Sequence, residues 1–249
     1  MTLPDDTREY TPGHQFREGD ETTQYWIRGK QILYRHYPLS NVHIPSFRFY
    51  LGSFAKDYKN CYGTSSRFKG GNGPTFRALN FCYATDGRFV WTMGGKIKDA
   101  DAESFVVCDD GVHFLTGGGR VPYGFGKDEN RVYYYDYDGK PNWVRKATAK
   151  TFHSLNDGYF AKDDNFVFCG AAALPKARVE QWEKVGGYYS RDDRRVFYFN
   201  REIAAVDYDT FEVVPSGRDY LQLAKDKINF YWNDNVVDAA KFEQMLADH

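Results

Sequence analysis

Six aspartates recur in short charged stretches of the chain, and carboxylates in such loops could bind Ca²⁺. The stretches include KDENR, which contains Asp128, and KDDNF, which contains Asp163. A Ca²⁺ loop needs spaced oxygen ligands and a closing Glu, and each stretch offers only one or two carboxylates. We therefore assign these aspartates to turns, where the side chain accepts hydrogen bonds from backbone N–H groups two or three residues later. The structural turn residues are Asp57, Asp86, Asp128, Asp163, Asp192 and Asp226.

The other residues that could do chemistry show no motif for it. A serine or cysteine nucleophile needs a base within reach, and no histidine stands in a recognisable catalytic motif. Glycine-rich stretches such as KGGNGPTF and LTGGGR lack the G-K-[ST] ending of a phosphate loop. The cysteines lie far apart without metal-ligand spacing, which predicts buried free thiols. We expect no catalytic residue, no metal site, no cofactor and no enzymatic activity. The histidines and cysteines are His14, His36, His43, His113, His153, His249, Cys61, Cys82, Cys108 and Cys169.

Charge and hydropathy narrow the class of partner. The 33 basic and 34 acidic side chains give a net charge of -1, which favours neither nucleic acid nor an anionic membrane as partner. Basic residues among aromatics in SRDDRRVFYFNR could contact a nucleic acid, but the interspersed Asp192 and Asp193 favour a solvated strand edge. The first residues carry no export signal and no long apolar run follows. We expect a cytoplasmic protein.

The aspartates belong to a longer repeated pattern. Each lies three residues after an aromatic residue or Leu, and four residues before an apolar side chain. The spacings between successive aspartates are 29, 42, 35, 29 and 34 residues. A large aromatic residue, predicted to face inward, follows 19 residues later in most copies. These aromatics are Phe76, Phe105, Phe152, Trp182, Phe211 and Phe242.

The pattern predicts a unit made of a small β-meander followed by a short helical turn. Two extended runs flank the Asp as in a tight hairpin, and the segments before the inward aromatic contain helix caps and helix formers. A meander this small must stack on its neighbours to bury its aromatics. We therefore expect a mainly β (α+β) tandem repeat array, with an open superhelix favoured over a closed ring. Residues 1–24 are predicted to be disordered, and 25–249 to form one domain with units near 54–82, 83–122, 123–158, 159–187, 188–222 and 223–249.

The units resemble the bacterial DKNYY family, which is named for an Asp-Lys-Asn-Tyr-Tyr core. DENRVYY, from Asp128 to Tyr134, is the closest literal match, and the resemblance covers about Phe54 to Leu246. Early copies depart from the pattern, since Cys61 replaces the usual Val. The resemblance implies a structural description and no catalytic residues.

One unit carries an insertion, YYYDYDGKPNW, from Tyr133 to Trp143. A loop rich in Tyr, Asp and Trp on a rigid scaffold has the composition of a recognition loop, although a tolerated surface insertion explains it as well. The partner-binding residues that we predict are Tyr135, Asp136, Tyr137, Asp138 and Trp143.

These observations favour a protein that binds another protein. The more specific hypothesis is an immunity protein that neutralises a cognate bacterial toxin or effector by direct binding, as in a toxin–antitoxin pair. The alternative is a glycan- or envelope-binding module that uses exposed aromatics such as Trp91, Trp143 or Trp232. An enzyme whose site is built from scattered residues also stays open.

Overall fold

The computed structural model describes residues 5–115, 119–137, 142–215 and 222–247. The described chain is mainly β, with short antiparallel strands in small sheets and one short α-helix. Val, Tyr and Phe fill the paired strands because β-branched and aromatic side chains pack well on a pleated surface. Strands of two to four residues cannot bury these rings alone, so each sheet depends on its neighbours.

The first three sheets use the N-terminal part of the chain, and their strands pair in chain order. The first has β1 (Tyr25–Arg28), β2 (Gln31–Tyr34) and β3 (Tyr37–Pro38). The second has β4 (Arg48–Tyr50), β5 (Phe54–Lys56), β6 (Cys61–Gly63) and β7 (Ser66–Arg67). The third has β8 (Arg77–Ala78), β9 (Ala84–Thr85), β10 (Val90–Thr92) and β11 (Gly95–Lys96). Short 3-10 helices precede these sheets at Glu21–Thr23, Ile44–Ser46 and Gly73–Thr75.

The fourth sheet is interrupted by a separate hairpin. It begins with β12 (Val106–Val107), and the hairpin of β13 (His113–Phe114) and β14 (Arg120–Val121) follows. The sheet continues with β15 (Gly124–Lys127), β16 (Val132–Tyr135) and β17 (Asn142–Trp143). This hairpin occupies the longest interval between successive aspartates, where the sequence indicates an inserted loop.

Three further four-stranded sheets complete the described chain. The fifth has β18 (His153–Ser154), β19 (Phe160–Lys162), β20 (Val167–Cys169) and β21 (Ala172–Ala173). The sixth has β22 (Glu183–Gly186), β23 (Tyr189–Arg191), β24 (Val196–Tyr198) and β25 (Arg201–Glu202), after a 3-10 helix at Val179–Gln181. The seventh has β26 (Glu212–Val214), β27 (Leu223–Lys225), β28 (Phe230–Trp232) and β29 (Asn235–Val237). It follows a 3-10 helix at Tyr208–Thr210 and precedes α1 (Ala239–Ala247).

The unit limits read from the sequence fall inside these sheets. Each limit falls between the first strand of a four-stranded sheet and the strand that pairs with it, or at the first residue of that second strand. The limits are 54, 83, 123, 159, 188 and 223. The aspartate hairpin is the strongest local pattern, so the unit limits read from the sequence begin at the two strands of that hairpin. The first strand joins the sheet across a connection that carries no comparable turn signal.

Each of the six aspartates is buried in the turn between the two strands of its hairpin, which we call the Asp turn. Asp128 shows the full set of contacts. One carboxylate oxygen accepts hydrogen bonds from the N–H groups of Asn130 at 2.9 Å and Arg131 at 2.7 Å. The other oxygen accepts from the N–H of Asp101 at 3.1 Å and the hydroxyl of Tyr133 at 2.8 Å. The side chain therefore joins its own turn to the segment that precedes the sheet.

The same arrangement holds at the other five aspartates. One oxygen accepts from the N–H groups two and three residues later. The second accepts a backbone N–H from the segment before the sheet, donated by His43, Asn72, Thr148, Arg178 or Asp207. A tyrosine hydroxyl also donates to Asp57 and Asp226. Burial raises the pKa of Asp57, but these hydrogen bonds outweigh it and lower that pKa below its ordinary value.

The aromatic residues predicted to face inward are buried. Phe211 packs its ring 5.6 Å from that of Tyr189 and 5.9 Å from that of Tyr231. Phe242 lies on α1 and packs 4.8 Å from Phe230, so this helix covers the last sheet. The core is thus a series of aromatic clusters between neighbouring sheets.

Residues 5–24 pack against the sheets; they are the described part of the segment predicted to be disordered. The N–H of Tyr10 donates to the carbonyl of Phe49 at 2.8 Å, which adds a bridge to the second sheet. The buried guanidinium of Arg120, from the inserted hairpin, bonds Asp6 at 3.0 Å and Glu21 at 3.0 Å. One arginine therefore connects the N-terminal segment to the inserted hairpin.

Replacing Arg120 with Met should release the N-terminal segment. The change leaves the carboxylates of Asp6 and Glu21 without their cation, and we expect protease cleavage within residues 5–24 to become about tenfold faster or more. Limited trypsin digestion followed by mass spectrometry measures this rate. Arg88→Met is the matched control, because Arg88 is exposed and its guanidinium lies 5.1 Å from the centre of a phenylalanine ring. Equal cleavage of the two variants would contradict the role of Arg120.

Asp109 gives the fold a pH dependence. It accepts hydrogen bonds from Phe125 N at 2.9 Å and from the hydroxyl of Ser154 at 2.9 Å, so it joins the fourth and fifth sheets. Burial raises the pKa of this carboxyl from 3.8 to about 6. The folded protein therefore holds a proton that the unfolded chain has lost, and stability should fall by about 2 to 3 kcal/mol as the pH rises from about 4 to about 6.

Denaturant unfolding of the wild type and of Asp109→Asn across this pH range measures the effect. The difference in unfolding free energy between the two proteins should change with pH mainly between 4 and 6, because only the wild type titrates there at this position. Asp164→Asn, at an exposed residue beside the Asp turn of the fifth sheet, is the control and should keep the wild-type profile. A difference that stays constant with pH would show that Asp109 does not titrate in this window.

Candidate partner-binding face

The turn that leads into the last strand of each sheet, which we call the tip turn, lies at the opposite end of the hairpin from the Asp turn. Several tip turns begin with a residue in the left-handed conformation, with φ between 48° and 57°. Its N–H donates to the carbonyl just before the neighbouring strand, and this bond closes the end of the sheet. The residues are Arg35, Thr64, Gly170, Phe199 and Asn233.

Phe199 is the least expected residue in this position. A large side chain is rarely found at φ 48°, because its Cβ crowds the backbone. Two contacts hold it: its N–H donates to the carbonyl of Tyr188 at 2.9 Å, and its ring stacks on that of Tyr188 at 4.2 Å. Strained backbone that places an aromatic ring at a surface turn is a feature of binding sites.

The tip turns of the first four sheets surround one cleft of about 650 Å³, which we call the first cleft. Tyr34 and exposed Tyr37 line one side, and exposed Tyr137 lines the other. The hydroxyl of Tyr34 lies 3.0 Å from that of Ser53, which donates to the amide oxygen of Gln24 at 2.9 Å. The cleft thus combines aromatic rings with neutral polar groups and with the side chains of Arg35 and Arg120, a composition typical of ligand sites.

A second cleft, of about 590 Å³, lies between the tip turns of the fourth, fifth and sixth sheets. Its walls include the rings of Tyr123, Tyr134, Tyr159 and Phe199, and its floor includes residues 170–172. The ring centroids of Tyr123 and Tyr159 are 5.1 Å apart, and those of Tyr159 and Phe199 are 5.9 Å apart. A smaller cleft beside Phe199 extends to the seventh sheet. The tip turns therefore form one continuous surface, which we call the tip face.

The predicted recognition loop is divided among several places on the structure. Tyr135 is only 2% exposed and packs in the core, so it offers little surface to a partner. Asp136 is half-buried in the second cleft, and Tyr137, 60% exposed, lines the first. Asp138 lies outside the described residues. Tyr135, the last residue of β16, also lines the first cleft, and Asp136 and Tyr137 lie in the turn that follows the strand.

Trp143 lies apart from both clefts. It is 49% exposed on β17, where it pairs with Tyr133, and the guanidinium of Arg131 lies 5.1 Å from its ring. The other tryptophans expected to be exposed differ from it: Trp91 is buried against Phe68, and Trp232 is half-buried beneath Lys241. Packing between sheets buries Trp91, and the sequence does not show this because β10 is covered on both faces.

Two histidines make ring contacts, and the Nδ1 of exposed His43 also lies 2.8 Å from the hydroxyl oxygen of Ser46. His113 packs its ring against Tyr159 at 4.7 Å, and His43 packs against Tyr58 at 4.8 Å. The cysteines are free thiols; Cys61, Cys82 and Cys169 are buried and Cys108 is half-buried. Burial raises the pKa of Cys61 and of Cys108 to about 12, which keeps both as unreactive thiols at neutral pH.

The clustered arginines of the sixth sheet are paired with carboxylates. Arg191 bonds Glu183 at 2.7 Å, and Arg201 bonds Asp234 at 3.2 Å. These pairs neutralise the positive charge that the sequence concentrates in this segment.

Sequence reasoning missed most aromatic residues of the tip face. These are Tyr34, Tyr37, Tyr123, Tyr159, Tyr188 and Phe199. The usable signal is an aromatic residue where a turn normally has a polar one, as in FNRE at Phe199.

Comparison with known proteins identifies the group to which the chain is related. The model of the DKNYY family matches residues 54–201, more than half of the chain. The chain belongs to the DKNYY family. The DKNYY match includes the second cleft, whereas Tyr34 and Tyr37 of the first cleft precede it. Searches of curated proteins and of solved structures found no match.

One finding concerns whether a helix of this chain could cross a membrane. In the ranges that the structure describes, no helix is both long and apolar enough to span a bilayer.

Proposed function

We propose that this protein acts without catalysis, by binding another protein through the tip face. The observation that carries the proposal is the continuity of this surface, which joins two clefts and the exposed rings of Tyr37 and Tyr137. Tyrosines on rigid turns give a large contact area at low entropic cost, and they are enriched at binding hot spots. Clefts beside them can receive protruding side chains of the partner.

The sheets would present this surface as a tandem array of stacked units, in an open superhelix. Support comes from the four-stranded sheets with corresponding Asp turns and tip turns. In an open array the last unit contacts only its neighbour, so a chain that ends at residue 205 should still fold. Loss of all cooperative unfolding in that truncated chain would favour a closed ring.

For the partner, we propose a bacterial toxin or effector domain that the protein neutralises in the cytoplasm. An immunity protein needs a preformed surface and no chemistry of its own, which fits a rigid aromatic face. The test is co-expression with toxic domains encoded beside the gene, together with binding of the purified proteins. Rescue of growth with a stoichiometric complex supports the proposal. Failure to rescue or to bind any of these domains would contradict it.

The first cleft favours a second candidate, a glycan-binding module. Tyrosine rings beside the neutral polar groups of Gln24 and Ser53 can stack on a sugar and hydrogen-bond its hydroxyls. Titration with a panel of polysaccharides tests this candidate, with binding monitored by the NMR signals of Met93 in the first cleft. Unchanged signals at saturating saccharide would remove this candidate.

A further inference from the structure

The second cleft has the composition of a cation-binding site. Aromatic rings attract cations because the ring face is electrostatically negative. Rings of Tyr123, Tyr134, Tyr159 and Phe199 line this cleft together with one carboxylate, that of Asp136. No lysine or arginine is among its described lining residues.

One oxygen of the Asp136 carboxylate lacks a hydrogen-bond donor among the described residues. Its Oδ1 atom is buried and accepts no hydrogen bond from the described part of the chain. In the adjoining smaller cleft, by contrast, Asp234 bonds Arg201. The buried Oδ1 leaves the negative charge of this carboxylate without a hydrogen-bond donor, so a cation in the cleft that the residue lines would be attracted to it.

The space in front of Asp136 exists because the fifth tip turn is made of small residues. Gly170 adopts φ 57°, and a Cβ on it would lie 2.9 Å from the ring of Tyr134. Gly170 takes the position that Phe199 has in the sixth sheet, and Ala171 and Ala172 take those of Asn200 and Arg201. The small residues keep the cleft open between two aromatic walls.

We propose that the second cleft binds the side chain of an arginine or lysine of the partner protein. The cationic group contacts the ring faces and is attracted by the negative charge of Asp136. This deepens the proposed function, because it rests on a protein partner and gives that partner a basic anchor residue at the tip face.

Isothermal titration of the full chain with N-acetyl-arginine amide tests the site, with N-acetyl-citrulline amide as the uncharged match. The methyl NMR signals of Ala171 and Ala172 report where the probe binds. We expect the arginine probe to bind with a Kd on the order of 1 to 10 mM, at least tenfold tighter than citrulline, and to shift both methyl signals. Equal binding of the two probes, or no binding, would overturn the proposal.

Asp136→Asn should remove most of the preference for arginine. Asp164→Asn is the matched control, because it changes the charge equally at an exposed residue beside the Asp turn of the fifth sheet. Retained preference in Asp136→Asn would place the cation elsewhere and contradict the site. The two proposals can fail separately. If a protein partner binds the chain but arginine does not, only the cation site is contradicted. If arginine binds but no protein partner is found, only the protein-binding function is contradicted.

Discussion

Replacing Asp128 with Ala should lower the free energy of unfolding by about 3 to 5 kcal/mol. A role in the turn alone predicts a loss of about 1 kcal/mol, because the N–H groups of Asn130 and Arg131 can turn to water. The structure adds two donors, the N–H of Asp101 in part-buried surroundings and the buried hydroxyl of Tyr133. Each would lose its acceptor, at about 1 to 3 kcal/mol. Urea denaturation monitored by circular dichroism measures the loss.

Two comparisons make this prediction specific. Asp163→Ala should lower the free energy of unfolding by less than Asp128→Ala. Tyr133 donates its hydroxyl to Asp128, whereas the corresponding residue after Asp163 is Phe168, which has no hydroxyl. Asp164→Ala, at an exposed neighbour, should change stability by no more than about 0.5 kcal/mol. If all three variants lost about 1 kcal/mol or less, the aspartates would be turn residues only.

Replacing Phe211 with Ala should cost about 3 to 5 kcal/mol. Its ring is buried between the sixth and seventh sheets, against Tyr189 and Tyr231, and truncation leaves a cavity between aromatic side chains that cannot close easily. The same denaturation experiment measures the loss. Phe114→Ala is the control, because that ring is exposed on the inserted hairpin and should matter little. Equal losses for the two variants would contradict a core role for Phe211.

Local chemistry explains what the sequence predicts about the fold. An aspartate that bonds N–H groups two and three residues later leaves its mark within a few positions, so the Asp turns can be read from the spacing. The second bond of the same carboxylate joins Asp128 to Asp101, 27 residues earlier. No local pattern encodes that contact. The first strand of each four-stranded sheet also lacks a local turn signal, so the unit limits read from the sequence fall after it.

The candidate site was predictable in part. The length and composition of the insertion indicate a surface loop, but packing leaves Tyr135 only 2% exposed and Tyr137 60% exposed, although both residues line the first cleft. Phe199 and Tyr188 come from a different sheet and reach the tip face only through packing between sheets. Residues brought together by such packing carry no common spacing in the sequence.

Affinity capture of the tagged protein from its source cells tests the central claim most directly, when two tyrosine variants are compared. Tyr137 on the tip face is 60% exposed, and Tyr58 beside an Asp turn is 61% exposed, so the same change to Ser removes similar exposed surface. We expect a stoichiometric partner whose affinity falls tenfold or more with Tyr137→Ser and less than twofold with Tyr58→Ser. A partner that is lost with Tyr58→Ser and retained with Tyr137→Ser would show that the tip face is not the binding surface.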